Sequence, residues 1–177
     1  TTLLGDLVKT FETQFNFGNV HIYMTSDERQ LVRRARMALG MTDQTMQNVV
    51  MVGSSSLVGR AAANRVVTAA DSTSPAEDQA LLTTPARRAL AIPLIVDDVL
   101  LGVLEASSED RRPFDHEQVE AMAVIVQRSA HLITLQRRVS ALSNELHEAQ
   151  DNLDSLTTLL REQDARLKDT IRATWNT

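Results

Sequence analysis

Nothing in the chain after Pro113 can readily break a helix. All six glycines lie at or before Gly102 and all four prolines at or before Pro113, so residues 114–177 contain neither. Inside a helix Gly costs about 1 kcal/mol and Pro about 3 relative to Ala, and what remains here is rich in Leu, Ala, Glu, Gln and Arg. The spacing predicts one continuous helix. Its start is signed: Asp115 can cap, Gln118 follows at capping-box distance, and Phe114 and Val119 take the two positions of a hydrophobic staple. From Val119 through Met122, Ala123, Ile125, Val126, Ala130, Leu132 and Ile133 the apolar stripe is wide, as for a helix lying on a globular body.

Then the stripe narrows. Leu135, Val139, Leu142, Leu146, Ala149, Leu153, Leu156, Leu160, Gln163, Leu167 and Thr170 alternate strictly by four and three, a heptad seam with Val139 at position a. At 1.5 Å per residue this part runs on the order of 50 Å. Leucine at such positions specifies self-association, by roughly 1.5–3 kcal/mol per well-buried side chain before entropy costs. Pairs five residues apart across the seam (Arg138 with Ser143, Glu145 with Gln150, Asn152 with Thr157, Leu159 with Asp164, Arg166 with Ile171) include no attractive ion pair. Charge therefore leaves strand orientation open, and a parallel homodimer is expected from the body attached to the seam. Ala149, Gln163 and Thr170 are weak layers, read either as ordinary tolerance of imperfect layers or as a device that keeps two helix registers or rotations close in energy.

Residues 1–113 read differently. Leu3, Leu4, Leu7, Val8, Phe11 and Phe15 recur at helical spacing and stop near Gly18. Val20, Ile22 and Met24 alternate with His21 and Tyr23 as in a half-buried strand. A less clean alternation covers 31–39, with Leu31, Ala35, Met37 and Leu39 on one face and Arg34 and Arg36 on the other; Arg33, Arg34 and Arg36 read first as a solvated strand face and second as an anion site. A β-branched run at Val49–Val52, a helix at Leu57–Asn64 opened by Gly53 and three serines, and a brief strand at Val66-Val67 ending at Asp71 follow. A helical turn is expected within 76–82, and Ala89–Val96 and Val99–Ala106 read as a hairpin across Asp97-Asp98. Pro93, lacking an N–H, places its strand at an edge, a bulge or a pairing boundary.

Composition closes other routes. The net charge of −5 argues against nucleic acid, and residues 137–172 carry six basic against seven acidic side chains, leaving no basic stripe. There is no cysteine, hence no disulfide, thiolate metal site or thioether-linked cofactor. No apolar run reaches the 18–20 or so residues of a membrane span. The chain begins without Met and shows no basic-then-apolar leader, so it reads as a cytoplasmic fragment of something longer.

Five segments in order resemble a GAF domain over about residues 1–135: Ser56-Leu57-Val58-Gly59-Arg60-Ala61-Ala62, Val66-Val67-Thr68-Ala69-Ala70-Asp71, Ala91-Ile92-Pro93-Leu94-Ile95-Val96, Leu101-Gly102-Val103-Leu104-Glu105-Ala106 and Pro113-Phe114-Asp115. A PAS domain shares the shape but usually lacks the "PL…GVL" pair. The resemblance implies an α+β fold, an antiparallel sheet flanked by helices, with the C-terminal helix continuing as a coiled coil. It divides the chain into an N-terminal helix (1–17), a sensor body (18–135), a parallel dimeric coiled coil (136–172) and a frayed tail (173–177). It also implies a small-molecule pocket involving Met51, Arg60, Asn64, Asp71, Asp78 and Arg88. Arg88 is the notable member, since an Arg at a sheet rim can clamp a carboxylate or phosphate; the plainer expectation pairs it with Asp78 or Glu77.

No aromatic falls within 24–113, which argues against purines and tetrapyrroles held by stacking. The family's cyclic-nucleotide subset carries an Asn-Lys pair where Ser107-Ser108 stand here, and its bilin-binding and methionine-sulfoxide-reducing members use cysteine. His21, His116, His131 and His147 include no pair on one helix turn, so no metal and no cofactor are expected; His21 reads as a satisfied or solvent-facing histidine. Asp97-Asp98 and Glu109-Asp110 read as loop acids, and no Gly-rich phosphate loop with its Lys is present. The chain is thus expected not to be an enzyme. It reads as a homodimeric sensor module passing signal along its coiled coil to an effector domain in the full-length chain, such as a histidine kinase or diguanylate cyclase. The alternative is a ligand-free dimerising spacer.

Overall fold

The computed structural model describes residues 3–26, 29–38, 49–82 and 85–175. Two compact units divide the chain, residues 1–134 and 135–177.

In the first unit, α1 (Leu3–Phe15) buries Leu7, Val8 and Phe11 and ends with Asn16 at φ 56, the left-handed conformation that stops a helix. Among the described residues six antiparallel strands follow: β1 (Asn19–Thr25), β2 (Gln30–Ala38), β3 (Val49–Met51), β4 (Thr68–Ala70), β5 (Arg88–Val96) and β6 (Val99–Ser108), in the order β3-β2-β1-β6-β5-β4. Two short helices lie between β3 and β5: α2 (Leu57–Asn64) and α3 (Ala76–Gln79). The 60-residue α4 (His116–Trp175) starts in this unit.

The strand thought half-buried is buried on both faces. His21 and Tyr23 are 2% and 5% exposed, because separate layers cover the two sides of the sheet. One face joins Val20, Ile22, Leu90, Ile92, Leu94 and Leu104 to α1 and to Met122, Val126, Ala130 and Ile133 of α4. The other joins Tyr23, Ala70, Ala89, Ala91 and Val103 to Leu57, Val58, Ala61 and Ala62 of α2.

Local chemistry explains the elements. Asp97 and Asp98, at φ 49 and 61, form a two-residue turn with both central residues left-handed, matching the twist of the β5–β6 hairpin. Ser56 caps α2 by accepting from the Gly59 N–H at 3.0 Å. A side chain at Gly59 would collide with Ser54 and the Met51 carbonyl, and one at Gly102 with the Tyr23 carbonyl and Met24. Both glycines are thus set by close backbone approach. Phe114 and Val119 pack against the same core, as a staple requires, and the Val119 N–H bonds the Asp115 carbonyl at 3.0 Å.

Some boundaries shift. The strand read at Val66-Val67 forms at Thr68–Ala70, placed by pairing with Ala91–Ala89, while Val66 is 55% exposed. Pro93 sits beyond the last β4 pair and one residue before the irregularity at Leu94/Ile95, a pairing boundary as its missing donor demands. Leu132, assigned to the packed stripe, is 51% exposed and lies one heptad before Val139 on the outward face. The side chains of Arg33, Arg34 and Arg36, and Leu39 altogether, lie outside the described residues.

The second unit is helix alone. Its described side chains are exposed throughout, including Leu135, Val139, Leu142, Leu146, Leu153, Leu156, Leu160 and Leu167, at 55–70%. An i,i+4 pair, Lys168 with Asp164 at 2.6 Å, decorates it. Among the described residues no helix is long and apolar enough to cross a membrane.

Candidate functional site

The six residues expected around a ligand fall into separate places. Arg60 on α2 and Asp78 on α3 meet in an ion pair at 2.7 Å, tying the two helices over the sheet. Met51 and Asn64 are exposed at the end of β3 and the end of α2.

Asp71 and Arg88 both reach the segment joining β6 to α4. Asp71 follows β4 and is 6% exposed. One carboxylate oxygen accepts from the Thr73 N–H (2.8 Å) and hydroxyl (2.7 Å); the other accepts from the Phe114 N–H at 2.9 Å. Burial pushes this carboxyl up, but the Thr73 hydroxyl and the Phe114, Thr73 and Ser74 backbone outweigh it and hold it below the ordinary 3.8.

Arg88, 4% exposed, opens β5 with its guanidinium over the rings of Phe17 (5.6 Å) and Phe114 (5.1 Å). It stands 3.5 Å from Asp110 and donates to the Arg112 carbonyl at 3.5 Å, rather than pairing with Asp78 or Glu77. The reason is register: Arg88 pairs with Ser108, so Asp110 lies just past its cross-strand neighbour. Asp110 is held mainly by Arg112, from its Nη2 at 2.6 Å, Nε at 2.9 Å and N–H at 3.0 Å. Arg112, with a smaller contribution from Arg88, lowers the Asp110 carboxyl to about 2.

A cluster unseen in the sequence lies on the α2 face. His21 Nδ1 is 3.6 Å from Glu105, whose carboxylate also accepts from the Tyr23 hydroxyl at 3.4 Å, and His21 Nε2 is buried without a hydrogen-bond partner. His21 is therefore neither solvent-facing nor fully satisfied. The signal was the pairing of β1 with β6, which sets His21 opposite Glu105 across 84 positions of sequence and which local spacing cannot show. The same pairing logic hid Phe17, Phe114 and Asp110 as the company of Arg88.

Open clefts among the described residues include the following three. One, about 880 Å³, lies between the end of α1 and the β6–α4 connection and includes Glu12, Asn19, Asp110 and Arg112; two others are about 560 and 390 Å³. None of the three is lined by Met51, Arg60, Asn64, Asp71, Asp78 or Arg88. No group of three or more His, Cys, Asp or Glu that could hold a metal occurs among the described residues.

A family model for the GAF domain matches residues 1–134. No curated protein matches the chain. Among solved structures, the GAF domain of a phosphoenolpyruvate-protein phosphotransferase from Coxiella burnetii is similar at 18% identity and TM-score 0.63, covering 78% of this chain and 84% of that one. The second GAF domain of DevS from Mycobacterium smegmatis is similar at 22% identity and TM-score 0.61, covering 77% and 96%. A free methionine-R-sulfoxide reductase from Neisseria meningitidis, solved with its substrate, is similar at 20% identity and TM-score 0.56, covering 72% and 75%. At these identities the likeness establishes the fold. The reductase also corrects the expectation that this chain is not an enzyme: that expectation rested on the absence of cysteine and of familiar catalytic spacing, yet an enzyme is built on this fold.

Proposed function

The chain belongs to the GAF domain family, and on that premise we propose that it is a regulatory module that pairs with a second copy of itself through the second unit and passes signal along α4 to an effector domain. The observation that carries this reading is the stripe of Leu135, Val139, Leu142, Leu146, Leu153, Leu156, Leu160 and Leu167, each more than half exposed along the helix. Aliphatic side chains at strict heptad spacing lose their contact with water when a second such helix lies along them. A parallel dimeric coiled coil over 136–172, following a body at 18–135 and preceded by a helix within 1–17, goes with that reading. So do a cytoplasmic location and an effector such as a histidine kinase or diguanylate cyclase.

A small-molecule ligand, with Met51, Arg60, Asn64, Asp71, Asp78 and Arg88 as its candidate contacts, would supply the signal. One observation favours a second reading, a spacer that binds nothing: Leu57, Val58, Ala61 and Ala62 of α2 pack straight onto the sheet, and the Arg60–Asp78 pair holds α2 to α3. Native mass spectrometry of the 177-residue chain separates the two. A dimer carrying added mass supports sensing, a dimer at the bare sequence mass supports the spacer, and a monomer removes both.

A further inference from the structure

The buried guanidinium of Arg88 is poorly compensated. Arginine stays protonated at any ordinary pH, so it cannot escape burial by losing its proton. Its best ionic contact, Asp110 at 3.5 Å, is long for a charge-assisted bond; its bond to the Arg112 carbonyl is equally long, and its Nε is buried without a partner. The same Asp110 oxygen is taken at 2.6 and 2.9 Å by Arg112, whose side chain is 80% exposed. A solvated arginine thus holds the carboxylate that the buried one needs.

This contest sits where α4 begins. Arg88 lies over Phe114, whose N–H is fixed by Asp71, and over Phe17, which follows α1. Asp110 and Arg112 are in the short connection between β6 and α4. A bond from Asp110 to Arg88 ties that connection to β5, whereas its bonds to Arg112 tie the connection only to itself.

We propose that Arg88, Asp110 and Arg112 form a conformational joint in which two arginines compete for one carboxylate and thereby set how firmly the start of α4 is held to the sheet. This deepens the regulatory reading, on which α4 is the output element. Arg112 acts as the release: its grip on Asp110 keeps the first turns of α4 looser than the fold would otherwise make them.

The test is amide hydrogen exchange on the 177-residue chain, comparing residues 114–122 with β1 and β6 as internal reference. Arg112→Ala leaves Asp110 to Arg88 alone and should slow exchange at 114–122 by about tenfold while the reference strands stay unchanged. Arg88→Met should speed exchange at 114–122 by a similar factor, and adding Arg112→Ala to it should have no further effect. Arg112→Ala exchanging at the wild-type rate or faster at 114–122, or a change spread equally over the strands, overturns the joint. If Arg88→Met fails to fold, the Arg112→Ala result still decides. Sedimentation of the same samples keeps the two ideas apart: loss of the dimer counts against the module reading, while the exchange ratio judges the joint.

Discussion

Within the single helix α4, one line of apolar side chains is buried before Thr134 and another is exposed after it. Met122, Val126 and Ala130 are fully buried and Ile133 is 6% exposed, whereas Leu135, Val139, Leu142 and Leu146 stand 55–69% exposed. The difference lies in the pattern. The buried set steps by four, four and three on the face toward the sheet, within a stripe widened by Val119, Ala123 and Ile125. The exposed set is a narrow line with period 3.5, too thin to seat a helix on a sheet and suited to another narrow line. One stretch of the helix is folded by its own chain; the other is the stretch that the proposed function pairs with a second copy.

That contrast can be broken from either side. Leu146→Glu places a carboxylate in the proposed seam of both copies and should weaken the dimer by roughly 4 kcal/mol, about a thousandfold in Kd, with the melting of the first unit unchanged by circular dichroism. Met122→Ala should do the reverse, costing the body about 3 kcal/mol in chemical denaturation and leaving the Kd within about twofold. Asp71→Ala removes the acceptor that holds Thr73 and the Phe114 N–H and should cost about 2 kcal/mol, read as a lowered Tm. Gln163→Leu replaces a polar layer in the exposed half and should tighten the dimer by about 1 kcal/mol while freezing the signal when joined to an effector. Normal switching by that variant would remove the idea of two closely balanced registers.

Acid supplies the smallest effect and sharpens the comparison. Asp71 and Asp110 both titrate below the ordinary aspartate value of 3.8 in the folded chain, Asp110 at about 2. The unfolded chain therefore takes up their protons first, so their stabilisation is complete above about 4 and is lost as pH falls toward 2. Amides at 114–122 should lose protection in that window before the rest of the body does, by exchange corrected for the intrinsic pH dependence.

How much of this was legible in the sequence follows from which forces are local. Caps, staples, turns and periodicity act over a few residues, so Ser56 before α2, Phe114 with Val119, the Asp97-Asp98 turn and the heptad line were readable directly. Pairing across the sheet is not local. Val66-Val67 has better β-propensity than Thr68–Ala70, yet the strand forms where Ala91–Ala89 offers its edge. The half-buried reading of β1 failed for the same reason, since covering both faces depends on α2 and on α1 with α4 together. At the candidate site, Arg88 could be singled out by its place before an apolar strand, but its partners could not: Phe17, Asp110 and Phe114 reach it only after β5, β6 and the helix starts are assembled. The His21–Glu105–Tyr23 cluster needed the β1–β6 register. The reading against enzymatic function failed because it treated missing cysteines and missing familiar motifs as an argument about a fold that enzymes share.

Sedimentation equilibrium of the 177-residue chain at micromolar concentration tests the central claim most directly. The account predicts a mass near twice 19.6 kDa that falls toward 19.6 kDa in Leu146→Glu. A wild-type chain that stays at 19.6 kDa throughout would contradict it.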